Sequence, residues 1–158
     1  MSQAERDGGE ISTAGDDTGA EITGRCYCGA TTVRAIRPPR AVAYCHCTDC
    51  RRVTGAPVAA FAAFDEAAVT VAPDEGRRVS INPGVERTFC GTCGSPLTGR
   101  YDYLPGQVYV PVGILDQAAE LVPQLHAHEA NRLPWLNIDD DLERISSTSR
   151  ERLGEAVR

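Results

Sequence analysis

Lysine is missing from this chain: the 16 basic residues among its 158 are all arginine. Chemistry that runs through a lysine Schiff base is therefore excluded. Long apolar runs are missing too. No stretch approaches the roughly 20 residues that a membrane span requires, and Met1 to Ala20 holds no apolar segment of the signal-peptide kind. The expected location is cytoplasmic, with no membrane partner. A third absence is positive excess. The formal net charge is −6, and the first twenty residues set Glu5, Asp7, Glu10, Asp16 and Asp17 against Arg6, leaving about −2 for the rest. Such a chain offers no basic field for nucleic acid. No internal repeat is visible.

What the sequence does hold is cysteine, seven residues in three groups. Cys26 and Cys28 form a CxC pair, and Cys90 and Cys93 a CxxC pair followed by Gly94. Cys45, Cys47 and Cys50 form a CxCxxC run with Arg51 and Arg52 directly behind it. In a reducing compartment, clustered cysteines more often bind metal than form disulfides, and an odd number fits a disulfide framework poorly. Four plus three is the arithmetic of one closed zinc site and one open one, since four thiolates close a tetrahedral site and three leave a position free.

The composition predicts a disordered acidic arm over residues 1–20, rich in Gly, Ser, Thr and Asp with little to bury. A single zinc-binding β-rich domain follows over 21–145, and a polar C-terminal tail over 146–158. Within the domain, Glu21 to Cys26 and Thr31 to Ile36 read as strands around a metal knuckle. Ala41 to Tyr44 delivers the chain to Cys45, and a brief helical turn ends near Gly55. The apolar stretch Val58 to Phe64 is short enough for a buried strand, although its periodicity alone is ambiguous. Short strands follow around Val69 to Val71, Arg78 to Ile81, Glu86 to Phe89, Leu97 to Tyr101 and Gln107 to Val112, separated by turn residues. Asp116 is placed to cap a short helix over Gln117 to Leu121. Many short strands with regular turns argue for a mainly β fold.

A site made from Cys26, Cys28, Cys90 and Cys93 would join segments 62 residues apart and supply roughly 10–16 kcal/mol of apparent binding energy coupled to folding. Cys45, Cys47 and Cys50 then have no fourth cysteine. Water, substrate or a histidine completes the set. His46 lies between two ligands on an extended chain and points the opposite way, whereas His126 and His128 are free to approach. A zinc on three thiolates is formally −1, retains Lewis acidity, and would accept and deprotonate a thiol. Arg51 and Arg52 offer planar forks suited to a carboxylate beside that position. Asp49 reads as a hydrogen-bonding residue.

Three motifs in order carry a family resemblance. They are Gly24-x-Cys26-x-Cys28-Gly29, then Tyr44-Cys45-His46-Cys47-x-x-Cys50-Arg51-x-x-x-Gly55, then Phe89-Cys90-x-x-Cys93-Gly94-x-x-Leu97. With Val112-Gly113-x-Leu115-Asp116, Pro123-x-x-His126 and Leu133-Pro134-Trp135, they make the chain from about Ile22 to Leu142 resemble the glutathione-dependent formaldehyde-activating enzyme family, which also includes centromere protein V. The resemblance implies an antiparallel fold similar to methionine sulfoxide reductase B. It implies a structural zinc on Cys26, Cys28, Cys90 and Cys93, and a second, substrate-accessible zinc on Cys45, Cys47 and Cys50. The implied activity is carbon–sulfur bond making or breaking on a glutathione adduct. The expectation is therefore a zinc-dependent carbon–sulfur lyase whose partner is a small thiol such as glutathione, with Arg51 and Arg52 binding its carboxylate. Its rivals are a zinc-stabilised binding module without catalysis and a metal-free thiol redox enzyme.

Overall fold

The computed structural model describes residues 21–155, so the acidic arm lies outside the described residues. Two sheets make the fold. The smaller is built from β1 (Ile22–Arg25), β2 (Thr32–Ala35) and β5 (Val69–Ala72), in the order β1-β2-β5 and antiparallel throughout. The larger contains β3 (Ala41–Cys45), β4 (Ala59–Asp65), β6 (Arg77–Val79), β7 (Val85–Phe89), β8 (Pro96–Tyr101), β9 (Gln107–Pro111), β10 (Leu125–Ala127) and β11 (Glu143–Arg144). Its order is β11-β10-β3-β4-β9-β8-β7-β6. Among the described residues, only the pairings of β10 with β3 and with β11 are parallel. The fold is thus mainly β, as the strand pattern implies, and largely antiparallel, as the family resemblance implies.

Strand β4 shows how the sequence divides the interior. Successive side chains on a strand point to opposite faces. Ala62 and Phe64 accordingly join Val33, Val42, Val108 and Val110 in the main core between the sheets. Ala59, Phe61 and Ala63 face the other way and pack with Cys50, Leu104 and Tyr109. A continuous apolar run is what a central strand needs when neither face meets solvent. The second face of this sheet carries the candidate site.

The sheets approach closely at Gly24. A Cβ there would lie 2.4 Å from the Ile114 carbonyl oxygen, in the 3-10 turn Val112–Ile114. The helix expected over Gln117 to Leu121 is not formed; that segment is a run of turns. Its would-be cap is committed elsewhere. Asp116 Oδ2 accepts from Thr23 Oγ1 at 2.7 Å, and Gln117 Oε1 accepts from the Thr23 N–H at 3.0 Å. Both bind β1 rather than starting a helix.

The C-terminal segment is docked over its described part. The His128 N–H donates to Ser147 O at 2.8 Å and the Ala130 N–H to Ser146 O at 3.2 Å. Ser149 is buried, and α2 (Arg150–Glu155) follows.

Candidate active site

The first cysteine group sits where the two sheets meet. Cys26 and Cys28 follow β1, and Cys90 and Cys93 occupy the knuckle between β7 and β8. The four sulfurs lie within 4.8 Å of one another. The Cys26–Cys28 separation is 3.5 Å and the Cys28–Cys90 separation 3.9 Å. Zinc–sulfur bonds of about 2.3 Å in a tetrahedron require S···S distances of roughly 3.8 Å, so the donor set fits such an ion. The knuckle geometry is local: the Gly94 N–H closes on Cys90 O at 2.9 Å, with Gly94 at φ +77°. Buried apolar support is thin, consisting of Cys26, Cys90 and Leu97 with Val71, Cys93 and Ile114 alongside.

The second group is assembled by β3 and the helix that follows it, α1 (Thr48–Thr54). Cys47 is the N-cap residue, and its sulfur accepts from the Cys50 N–H at 3.3 Å. Gly55 ends the helix in the left-handed conformation, φ +70°, donating to Arg51 O. These constraints bring the Cys45, Cys47 and Cys50 sulfurs within 4.8 Å of one another. All seven cysteines are free thiols. Hydrogen bonds from Cys45 and Cys50 hold the Cys47 thiol far below its ordinary range, while the bonds to its neighbours push Cys45 up. Either cysteine group can hold a metal ion.

Neither histidine closes the three-thiol group. His126 is fully buried and has both ring nitrogens committed: Nδ1 lies 2.8 Å from His46 Nε2, and Nε2 lies 3.0 Å from Asp140 Oδ2. His46 is equally buried and lies 3.3 Å from Glu129 Oε2 through the same Nε2. Burial lowers its pKa and keeps the imidazole neutral. The hydrogen bond to His126 holds the Asp140 carboxyl below the usual range. This Asp140–His126–His46–Glu129 chain crosses from β10 to the Cys45–Cys47 loop and fixes its backbone. His128 reaches the cavity beside the thiols without joining their ligand group.

A cavity of about 210 Å³ opens over the three thiols. Phe61, Tyr101, Tyr103, Leu104 and Tyr109 form its apolar wall. Arg87, on β7, reaches its floor and places its guanidinium nitrogen 3.7 Å from Cys50 Sγ. Its burial disfavours the charged form, but its interactions with Tyr101 and Cys50 outweigh that and raise its pKa. Arg87 also lies over the Tyr101 ring at 5.5 Å. Arg150, also lining the cavity, lies over the Tyr103 ring at 4.2 Å. Asp49 lines the cavity and accepts from Asn82 Nδ2 at 2.8 Å.

Arg51 and Arg52 do not line the cavity. Arg51 reaches Asn131 O and Thr48 Oγ1, and Arg52 is exposed. The helix turns both away because they follow Cys50 by one and two positions, about 100° and 200° around the axis. Arg87 and Arg150 supply the cavity's positive charge instead. One signal for Arg87 was present, since it stands two residues before Phe89 on the strand entering the CxxC knuckle. Arg150 had none.

Comparison with known families gives a match to "Glutathione-dependent formaldehyde-activating enzyme" over residues 21–131. The chain belongs to this family. Among curated proteins, an uncharacterized lyase from Schizosaccharomyces pombe (strain 972 / ATCC 24843) is 32% identical over 81 residues, covering 51% of this chain and 58% of the relative. The chain thus spans little more than half that relative's length. Among solved structures, the crystal structure of a Rhodobacter sphaeroides protein aligns with a TM-score of 0.48 and 23% identity, covering 60% of this chain and 87% of that one. The family match ends before Thr148, Ser149 and Arg150, which form the cavity's outer edge. Among the described residues no helix is long and apolar enough to cross a membrane.

Proposed function

We propose that this protein is a zinc-dependent carbon–sulfur lyase acting on a glutathione-like thiol adduct. The observation that carries the reading is the three-thiol group at the floor of a cavity, with no fourth protein ligand in its set among the described residues and a half-buried arginine 3.7 Å from Cys50 Sγ. Cys26, Cys28, Cys90 and Cys93 hold a structural zinc, and Cys45, Cys47 and Cys50 a second one. When bound there, zinc supplies a Lewis-acidic position that stabilises a thiolate.

The chain's own residues do the rest. Arg87 offsets the net negative charge of three thiolates, so that an anionic thiol is not repelled. The aromatic wall excludes water from the reacting carbon, which strengthens the Arg87 interaction. In the cleavage direction, the adduct's hydroxyl proton leaves to water and its oxygen forms the carbonyl. The carbon–sulfur electron pair moves onto the departing sulfur as a thiolate. Nothing is oxidised or reduced, and the addition is the same step reversed.

Exchange NMR on glutathione and formaldehyde with the zinc-loaded protein tests this. Interconversion of free thiol and adduct should be accelerated, and Cys50→Ser should abolish the effect. A protein holding two zinc ions that leaves the exchange rate unchanged contradicts the reading. It would favour a zinc-stabilised binding module.

A further inference from the structure

The chain has nine aromatic residues, and five of them (Tyr44, Phe61, Tyr101, Tyr103 and Tyr109) line this one cavity. Phe61, Tyr101 and Tyr109 pack in one cluster, and Tyr44 stacks on His126. Tyr101 lies 5.4 Å from Tyr103 and meets Tyr109 edge-on at 5.2 Å. The polar tip of Tyr109 is spent on Gln107 Oε1 at 2.9 Å, so its ring is what it offers to the cavity side. The charged side chains lining it are Arg87 beside Cys50, Arg150 over Tyr103, and Asp49, whose carboxylate accepts from Asn82.

A one-carbon group on sulfur is about the size of a single water, whose share of liquid volume is roughly 30 Å³, and it would leave most of this wall untouched. The thiol's peptide body is a poor occupant of the same wall, because buried amides without partners are costly. A planar apolar group on the carbon next to sulfur satisfies both constraints. Its ring meets the tyrosines, sulfur sits at the thiol floor, and the polar body leaves past Arg150 toward solvent.

We infer that the preferred adducts carry a bulky aromatic group on the carbon attached to sulfur, with Arg150 binding the carboxylate of the thiol body. Arg150 lies beyond the residues matched to the family, so the carboxylate contact belongs to the chain's C-terminal segment, whereas the aromatic wall lies within the matched residues. The inference rests on the three-thiol floor being the thiol-binding end.

Unreactive thioethers test it by calorimetric titration of the zinc-loaded full chain. S-benzylglutathione should bind at least tenfold more tightly than S-methylglutathione. Tyr103→Ala, at a residue 41% exposed and therefore tolerant of change, should bring that ratio toward one. Arg150→Gln should weaken both ligands about tenfold and leave the ratio intact; unchanged affinities would overturn the role of Arg150. The same pair is then measured on 3-mercaptopropionate. A benzyl preference there, with no binding of either glutathione thioether, sinks the glutathione reading and keeps the aromatic one. Equal binding of benzyl and methyl ligands overturns the aromatic inference while glutathione recognition stands. No binding in either series at millimolar concentration overturns both.

Discussion

Replacing Cys93 by serine isolates what the four-thiol site contributes to the fold. Cys93 is only half-buried, and its sulfur approaches Ser95 Oγ at 3.2 Å, a contact a serine hydroxyl can keep. Packing is therefore nearly unchanged, and the difference lies in the metal. A closed thiolate site contributes an apparent ~10–16 kcal/mol coupled to folding. Loss of one ligand in four removes roughly a quarter of that, on the order of 3 kcal/mol for the site. For a chain of this size each kcal/mol moves Tm by about 2–4 °C, so the drop should be on the order of 5–15 °C. The thin cluster around Leu97 cannot absorb it, since only Cys26 and Cys90 share its buried interior. Thermal melts in zinc-replete buffer measure the shift. The chelated wild type should fall further still, having lost the whole site. A Cys93→Ser protein that melts with the wild type, and is equally indifferent to chelator, would refute the reasoning.

Three other outcomes are expected. Gly24→Ala should destabilise by about 1–3 kcal/mol, because its Cβ would press on the Ile114 carbonyl; a denaturant midpoint equal to the wild type contradicts the close approach. Phe64→Ala, at a fully buried position of β4, should cost about 3–5 kcal/mol, read from the same unfolding curves, with zinc content retained in the folded protein. Arg87→Met should weaken glutathione binding to the zinc-loaded protein about ten- to hundredfold, while Arg52→Ala stays within about twofold of wild type; calorimetric titration that ranks them the other way returns the anion-binding role to α1.

The metal knuckles were legible in the sequence because their geometry is local. CxC on a strand turns both sulfurs to one face, and CxxC-Gly closes its turn through Gly94 N–H to Cys90 O. Strand β4 was legible only in part, as a continuous apolar run short enough for a buried strand whose periodicity alone does not separate it from a buried helix. The cavity wall was not legible, because it depends on register between distant strands. Tyr101 and Tyr103 stand two apart, which hints at one face, but Gly99 opposite Tyr109 is what sets Tyr101 against Tyr109. The buried His46–His126 pair was likewise hidden, arising from the parallel pairing of β10 with β3, in which Ala127 meets Cys45. The arginine expectation failed to reach the cavity because adjacency in sequence to a ligand is not adjacency in space once the chain enters a helix. Arg87 and Arg150 come from segments 37 and 100 positions away from Cys50.

The central claim is that one cysteine group is closed and structural and the other open and reactive. Metal content of the purified protein after reconstitution with excess zinc and removal of free ion tests it most directly, alongside Cys50→Ala and Cys93→Ser. The account predicts two zinc ions per wild-type chain, one in a stably folded Cys50→Ala protein, and loss of thermal stability only in Cys93→Ser. One zinc per wild-type chain, or a Cys50→Ala protein that still holds two, would contradict it.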